Sequence, residues 1–207
     1  MDMMLSDAHT HSLTSCSGII AIEPREAAFM PGKVYSVGIH PWRVSEAAES
    51  DLALLEQLAA HPQVIALGET GLDRLRGGEL ERQTDFFKRH IALSEAVKKP
   101  LIIHNVRCTA ELLAQRKKTS VTQPWILHGF RGNAATAKQL CDAGIMLSFG
   151  EKFTSGVPQS IPAEMLLAET DMSLLPIEQI SALVSPADPG LPGRNLRLLF
   201  PSLIHKS

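Results

Sequence analysis

Short apolar runs of strand length alternate with stretches of helix length along this 207-residue chain, and that alternation limits its fold more than any other feature. The runs fall at residues 3–9, 18–22, 34–39, 64–68, 101–103, 125–127, 145–149 and 165–168. They are continuously apolar, as strands are when helices cover both faces of a parallel sheet. Ser50 or Asp51 is expected to cap a helix carrying Leu52, Leu55, Leu58 and Ala59 on one face. Further helices are predicted over 79–98, over 109–118, between Asn133 and Gly144, and over 177–184. The pattern is that of an α/β protein, and one domain spanning 1–207 is the default at this length. The Pro- and Gly-rich stretch 185–193 reads as a loop, with weak structure expected after it.

Composition excludes several functions. With 20 Lys and Arg against 22 Asp and Glu, the net charge of −2 gives no global basic field for nucleic acid. A nucleic acid substrate then needs local positive charge, from a few Arg or Lys or from metal ions. Cys16, Cys108 and Cys141 are an odd count, far apart, with no C-x-x-C, which suits a reducing compartment and offers no thiolate metal site. No segment approaches a membrane span and no leader pattern is visible, so a cytoplasmic location is expected. No obligate protein partner is evident.

The strands end in chemistry. His9 and His11 stand at i and i+2 at the end of the first run and so point to one side. His40, Glu69, His104, His128 and Asp171 close later runs in the same way. Scattered surface residues do not choose that position repeatedly, and a barrel gathers its site at the carboxyl ends of its strands. Four imidazoles (His9, His11, His104, His128) and two carboxylates (Glu69, Asp171), with no thiolate, suit Zn, Mn, Fe or Ni. Six ligands are too many for one tetrahedral ion with an open position and about right for two ions sharing a carboxylate. Two such ions activate a water for hydrolysis of an ester or phosphodiester. His90, by contrast, falls in the apolar stripe of Phe86, Leu93 and Val97 on the 79–98 helix, which marks it as a packed core residue.

The pieces Asp7-Ala8-His9-Thr10-His11, Gly38-Ile39-His40-Pro41, Gly68-Glu69-Thr70-Gly71-Leu72-Asp73, His104, His128-Gly129-Phe130-Arg131-Gly132 and Glu169-Thr170-Asp171 together resemble the TatD family of metal-dependent deoxyribonucleases, within the amidohydrolase superfamily. The resemblance implies a TIM-type (β/α)8 barrel, irregular near strands 1–2 because residues 12–17 are too few for a crossover helix, and with a shortened C-terminal helical region. It implies two divalent metal ions (Zn, Mn, Mg, Fe or Ni). His9 and His11 would hold the first, His104 and His128 the second, and Glu69 would bridge them. Asp171 would ligate the first and take a proton from the attacking water. His40 would line the pocket and contact phosphate. Asp73 would orient the loop after Glu69, and Asp7 would support the first strand end. The implied activity is phosphodiester cleavage by a metal-bound hydroxide, as in a 3′-exonuclease. Another ester, lactone or amide is the alternative substrate.

Some positions depart from the family pattern. Gly129 stands where relatives have Cys, Val106 where they have Arg, and His90 where Gln is common. These departures bear on substrate contacts, not on metal ligands. Arg43, Arg107 and Arg131 are the candidate phosphate-binding residues, with Arg74, Arg76 and Lys152 also following predicted strands. Trp42 either stacks a base or packs. DNA and a small phosphodiester fit equally as substrate.

Overall fold

The computed structural model describes residues 4–204, so position 3 of the first predicted run lies outside the described residues. Eight strands follow one another in one sheet, in chain order. They are β1 (Asp7–Thr10), β2 (Gly18–Ile22), β3 (Val34–Val37), β4 (Val64–Asp73), β5 (Leu101–Val106), β6 (Trp125–Leu127), β7 (Ile145–Phe149) and β8 (Leu166–Ala168). The helices are α1 (Glu49–Ala59), α2 (Leu80–Val97), α3 (Thr109–Lys118), α4 (Ala134–Asp142), α5 (Ile177–Val184), α6 (Leu191–Leu198) and α7 (Pro201–Ile204). The chain divides into two compact units, one of residues 1–20, 31–33 and 126–207, the other of residues 21–30 and 34–125.

In the first unit, β1 pairs in parallel with β2, Asp7 opposite Gly18 and Thr10 opposite Ile20, with an irregular register between them. No helix lies in the connection, as its length predicts. The Lys33 ammonium holds that loop, donating to the carbonyls of Thr14 and Ser15 at 2.9 and 2.5 Å. β7 pairs in parallel with β8, and a parallel bridge joins Thr10 to Asp171 just past β8. The core here is apolar and closed, with Ile126, Leu147, Phe149, Leu167, Ile180 and Leu196 wholly inaccessible. Asn133 caps α4 as expected, its side chain accepting the Thr136 N–H at 2.9 Å.

The weak structure expected after residue 193 is not what forms. α6 runs through Pro192 and Gly193, because tertiary contacts outweigh poor helix propensity. Pro192 sits in the first turn, where no N–H is needed. Asn195 donates through Nδ2 to the carbonyls of Ala163 and Leu166 at 2.7 and 2.9 Å. Arg197 donates to the Leu5 carbonyl at 3.0 Å.

In the second unit, β3, β4 and β5 pair in parallel. β4 and β5 run further than their apolar runs suggest, so Glu69, Asp73 and His104 lie within strands. Two glycines make that extension fit. A Cβ on Gly68 (φ +129°) would stand 2.2 Å from the Ile102 carbonyl oxygen, and one on Gly71 (φ +140°) 2.1 Å from that of His104. The expected cap of α1 is corrected too. Ala48 precedes the helix, and Asp51, in its first turn, reaches back to accept the Ala48 N–H at 2.7 Å. Arg25 completes the arrangement with two hydrogen bonds to the same carboxylate, at 2.5 and 2.6 Å. His90 is packed as expected. It is wholly buried on α2, accepts the Ile39 N–H at its Nε2 (3.0 Å), and sets Nδ1 2.8 Å from the Phe86 carbonyl.

Two outcomes follow from this packing. Asn195→Ala strands two carbonyls and lowers unfolding free energy by about 1–3 kcal/mol, read from a urea transition. Burial pushes His90 down to about 4, so the folded protein refuses a proton that the unfolded chain accepts near pH 6.5. The stability that depends on neutral His90 is therefore full above the unfolded value and is lost as pH falls toward the folded one. His90→Gln flattens this part of the stability profile, measured by denaturation at stepped pH against the parent.

Candidate metal centre

In the first unit the site begins with the Asp7 carboxylate. It is buried and accepts three hydrogen bonds: from the His9 N–H (3.3 Å), the Thr170 N–H (3.0 Å) and the Thr170 hydroxyl (2.7 Å). Burial pushes Asp7 up to about 7 in spite of those bonds. Asp7 thereby fastens the end of β1 to the segment after β8. Two backbone bonds repeat the fastening, Asp171 N–H to His9 O at 2.9 Å and His11 N–H to Asp171 O at 3.2 Å. Asp171 adopts a left-handed conformation (φ 51°) at this point.

The consequence is a set of three donors. One atom each of His9, His11 and Asp171 lies within 4.8 Å of the other two. Asp171 Oδ1 is 3.8 Å from His9 Nε2 and 3.6 Å from His11 Nε2. Those separations are too long for hydrogen bonds. They lie near the edge of about 3.4 Å that donors make around an ion held at about 2.0–2.2 Å. His9 is buried, whereas the side chains of His11 and Asp171 are 40% and 30% exposed, so the set is open on one side. The donor chemistry and the spacing both fit a divalent cation. His128 stands beside it, with ring centroid 4.3 Å from that of His9.

His128 has a partner that the sequence reading used only as part of a motif. Glu169 is fully buried, accepts the Gly129 N–H at 2.7 Å, and lies 3.3 Å from His128 Nδ1 through the same oxygen. Burial raises the Glu169 pKa, but the His128 charge and hydrogen bond outweigh it and leave the carboxyl lowered. The signal was the i, i+2 relation of Glu169 to Asp171, which repeats that of His9 to His11.

The second unit carries another set of two imidazoles and a carboxylate. Glu69 Oε1 lies 2.9 Å from His40 Nε2 and 2.8 Å from His104 Nδ1. The Trp42 N–H donates to His40 Nδ1 at 3.1 Å, which leaves Nε2 as the protonated nitrogen facing Glu69. His104 Nε2 in turn faces Asp73 Oδ2 at 3.1 Å. Asp73 orients its loop, as expected, by accepting the backbone N–H groups of Leu75 (2.8 Å) and Arg76 (3.2 Å). Burial works against the charged form of Asp73, yet hydrogen bonds from Trp42, Leu75 and His104 leave its pKa lowered.

Trp42 is engaged, though 43% exposed. Its indole N–H donates to Asp73 at 2.6 Å, and the Arg76 guanidinium lies over its ring at 4.5 Å. The candidate phosphate contacts differ in freedom. Arg74 is committed to Glu111. Arg43 is exposed, 3.9 Å from Glu46, and Arg107 follows β5 at φ 53°. Arg131 and Lys152 line a cleft that Asp171 also lines.

A model of the family described as TatD related DNase matches residues 14–184. The chain is 35% identical over 164 residues to an uncharacterized metal-dependent hydrolase TatD of Mycobacterium tuberculosis, covering 72% of this chain and 62% of that protein. It is 34% identical over 149 residues to the uncharacterized metal-dependent hydrolase YabD of Bacillus subtilis, covering 68% of this chain and 58% of that one. The chain thus spans about three fifths of the length of these curated relatives. The crystal structure of YJJV, a TatD homolog from Escherichia coli, is 20% identical and superimposes with a TM-score of 0.81 over 98% of both chains. That likeness, with the strand order, identifies the fold as the expected TIM-type barrel of parallel strands and intervening helices.

Glu169→Ala releases the His128 ring and strands the Gly129 N–H. Nitrogen-15 spectra should show the His128 tautomer become mixed, and unfolding free energy should fall by about 1–3 kcal/mol.

Proposed function

The chain belongs to the TatD-related DNase family of metal-dependent hydrolases, and we propose that it cleaves phosphodiester bonds with divalent metal ions, as a deoxyribonuclease acting from the 3′ end. The carrying observation is the set of His9, His11 and Asp171, spaced for a cation, of which Asp171 also lines the cleft of Arg131 and Lys152. Bound divalent ions supply a water that ionises near neutral pH. In this reading His9, His11, Glu69, His104, His128 and Asp171 are the metal ligands, for two ions. Asp171 also takes the proton of the attacking water at its carboxylate, which solvent reaches. His40 presents its Nε2–H, now on Glu69, to a phosphate oxygen. Arg43, Arg107 and Arg131 supply charged donors to the remaining phosphate oxygens.

Glu169 and Asp73 hold the ring nitrogens of His128 and His104 from the side. Such carboxylates fix which nitrogen is turned toward a metal. DNA as the substrate, with no protein partner required, completes the proposal. Among the described residues no helix is long and apolar enough to cross a membrane. A reducing, cytoplasmic setting accords with Cys16, Cys108 and Cys141 all being free thiols.

Exhaustive chelation should stop hydrolysis of single-stranded DNA, and added Zn, Mn, Mg, Fe or Ni should restore it. Glu69→Ala should stay folded by circular dichroism, hold less metal by elemental analysis, and lose turnover by about a thousandfold. Full turnover in either the chelated protein or this variant would overturn the reading.

A further inference from the structure

A second, larger opening adjoins the His9, His11 and Asp171 set. It encloses about 540 Å³ and lies between the loop 11–17 and the segment 171–178. That volume is of the size that receives small organic ligands. Its chemistry differs from that of the Arg131 and Lys152 cleft. No lysine or arginine is among the described residues that line it. Its walls carry the hydroxyls of Ser12 and Ser15, that of Ser173, which donates to Glu151 at 2.5 Å, and the apolar side chains of Met172 and Leu174. Met172 is 73% exposed and Leu174 fully so, which leaves their apolar surface available at the rim. Beyond His11 and Asp171, the charged groups lining it are the acids Asp7 and Glu178. The two openings share Thr170, Asp171, Met172 and Ser173. Asp171 therefore stands between a cleft that holds Arg131 and Lys152, beside Glu151 and Glu169, and a groove that holds no lysine or arginine.

That asymmetry sorts the two arms of a phosphodiester. The phosphate seeks the guanidinium and ammonium. An uncharged sugar and base can exchange hydrogen bonds with serine hydroxyls and lay an apolar face on Met172 and Leu174. Away from the ion that His11 and Asp171 would hold, a further phosphate in the groove would meet no lysine or arginine and two acids, Asp7 and Glu178. Resting on the phosphodiesterase reading, we propose that this groove seats the uncharged terminal nucleoside of the substrate and rejects a terminus that carries another phosphate.

Two measurements decide this. With the metal-loaded full chain, thymidylyl-thymidine should be cleaved with a kcat/KM about tenfold or more above that of the same dinucleotide bearing a 3′-phosphate. Equal values would overturn the proposal. With the chelated full chain, saturation-transfer NMR should detect thymidine on the protein. The signal should weaken in Leu174→Ala, which alters a fully exposed side chain, and vanish in Ser12→Trp, which fills the groove. A folded parent that shows no thymidine signal, or a signal indifferent to both substitutions, would also overturn it. If no phosphodiester is cleaved with any metal while thymidine binding remains sensitive to the substitutions, the phosphodiesterase reading fails and the groove assignment stands.

Discussion

The Asp7 carboxylate is the joint on which the site of the first unit depends. Through Thr170 and His9 it ties the end of β1 to the segment after β8. The Thr10 hydroxyl adds a bond to that of Thr170 at 2.8 Å. This joint sets the spacing of His9, His11 and Asp171, because strand geometry fixes the two histidines and the backbone bonds at Asp171 fix the third donor. Its cost is desolvation. Asp7 stays buried with a raised pKa, which three hydrogen bonds only partly offset.

The same logic recurs where an imidazole must present one nitrogen. Glu169 occupies one side of His128, and Asp73 one side of His104. Each carboxylate also accepts backbone N–H groups, at Gly129 and at Leu75 and Arg76, so each is itself held. The orientation of these histidines is therefore built into the scaffold. The buried His90 shows the contrasting use of the residue. Both of its nitrogens face backbone groups inside the core, and neither is left for chemistry.

Much of the fold was legible because apolar runs and helix periodicity are local signals. β2, β6, β7, α3 and α5 have the bounds expected from the residues. The misses share a cause, which is tertiary contact overriding local pattern. β4 continues through Gly68-Glu69-Thr70-Gly71, a polar and glycine-rich stretch, because the glycines admit the backbone of β5. α6 forms through Pro192 and Gly193 because Asn195 and Arg197 anchor it to distant carbonyls. In the site, the grouping of His9, His11 and Asp171 followed from strand-end positions. The embrace of Trp42 by Asp73 and Arg76 did not, since nothing in sequence spacing announces it.

The helix-free connection from β1 to β2 has an evolutionary reach beyond the fold. Between His11 and Ser17, residues 12–16, steadied by one ammonium on two carbonyls, form a wall that carries neither core packing nor a strand. Lengthening or recolouring that wall leaves Asp7, His9 and Thr170 where they are. Descendants of this sequence are thus free to exchange one clientele for another by editing a surface strip, with the reacting centre inherited intact.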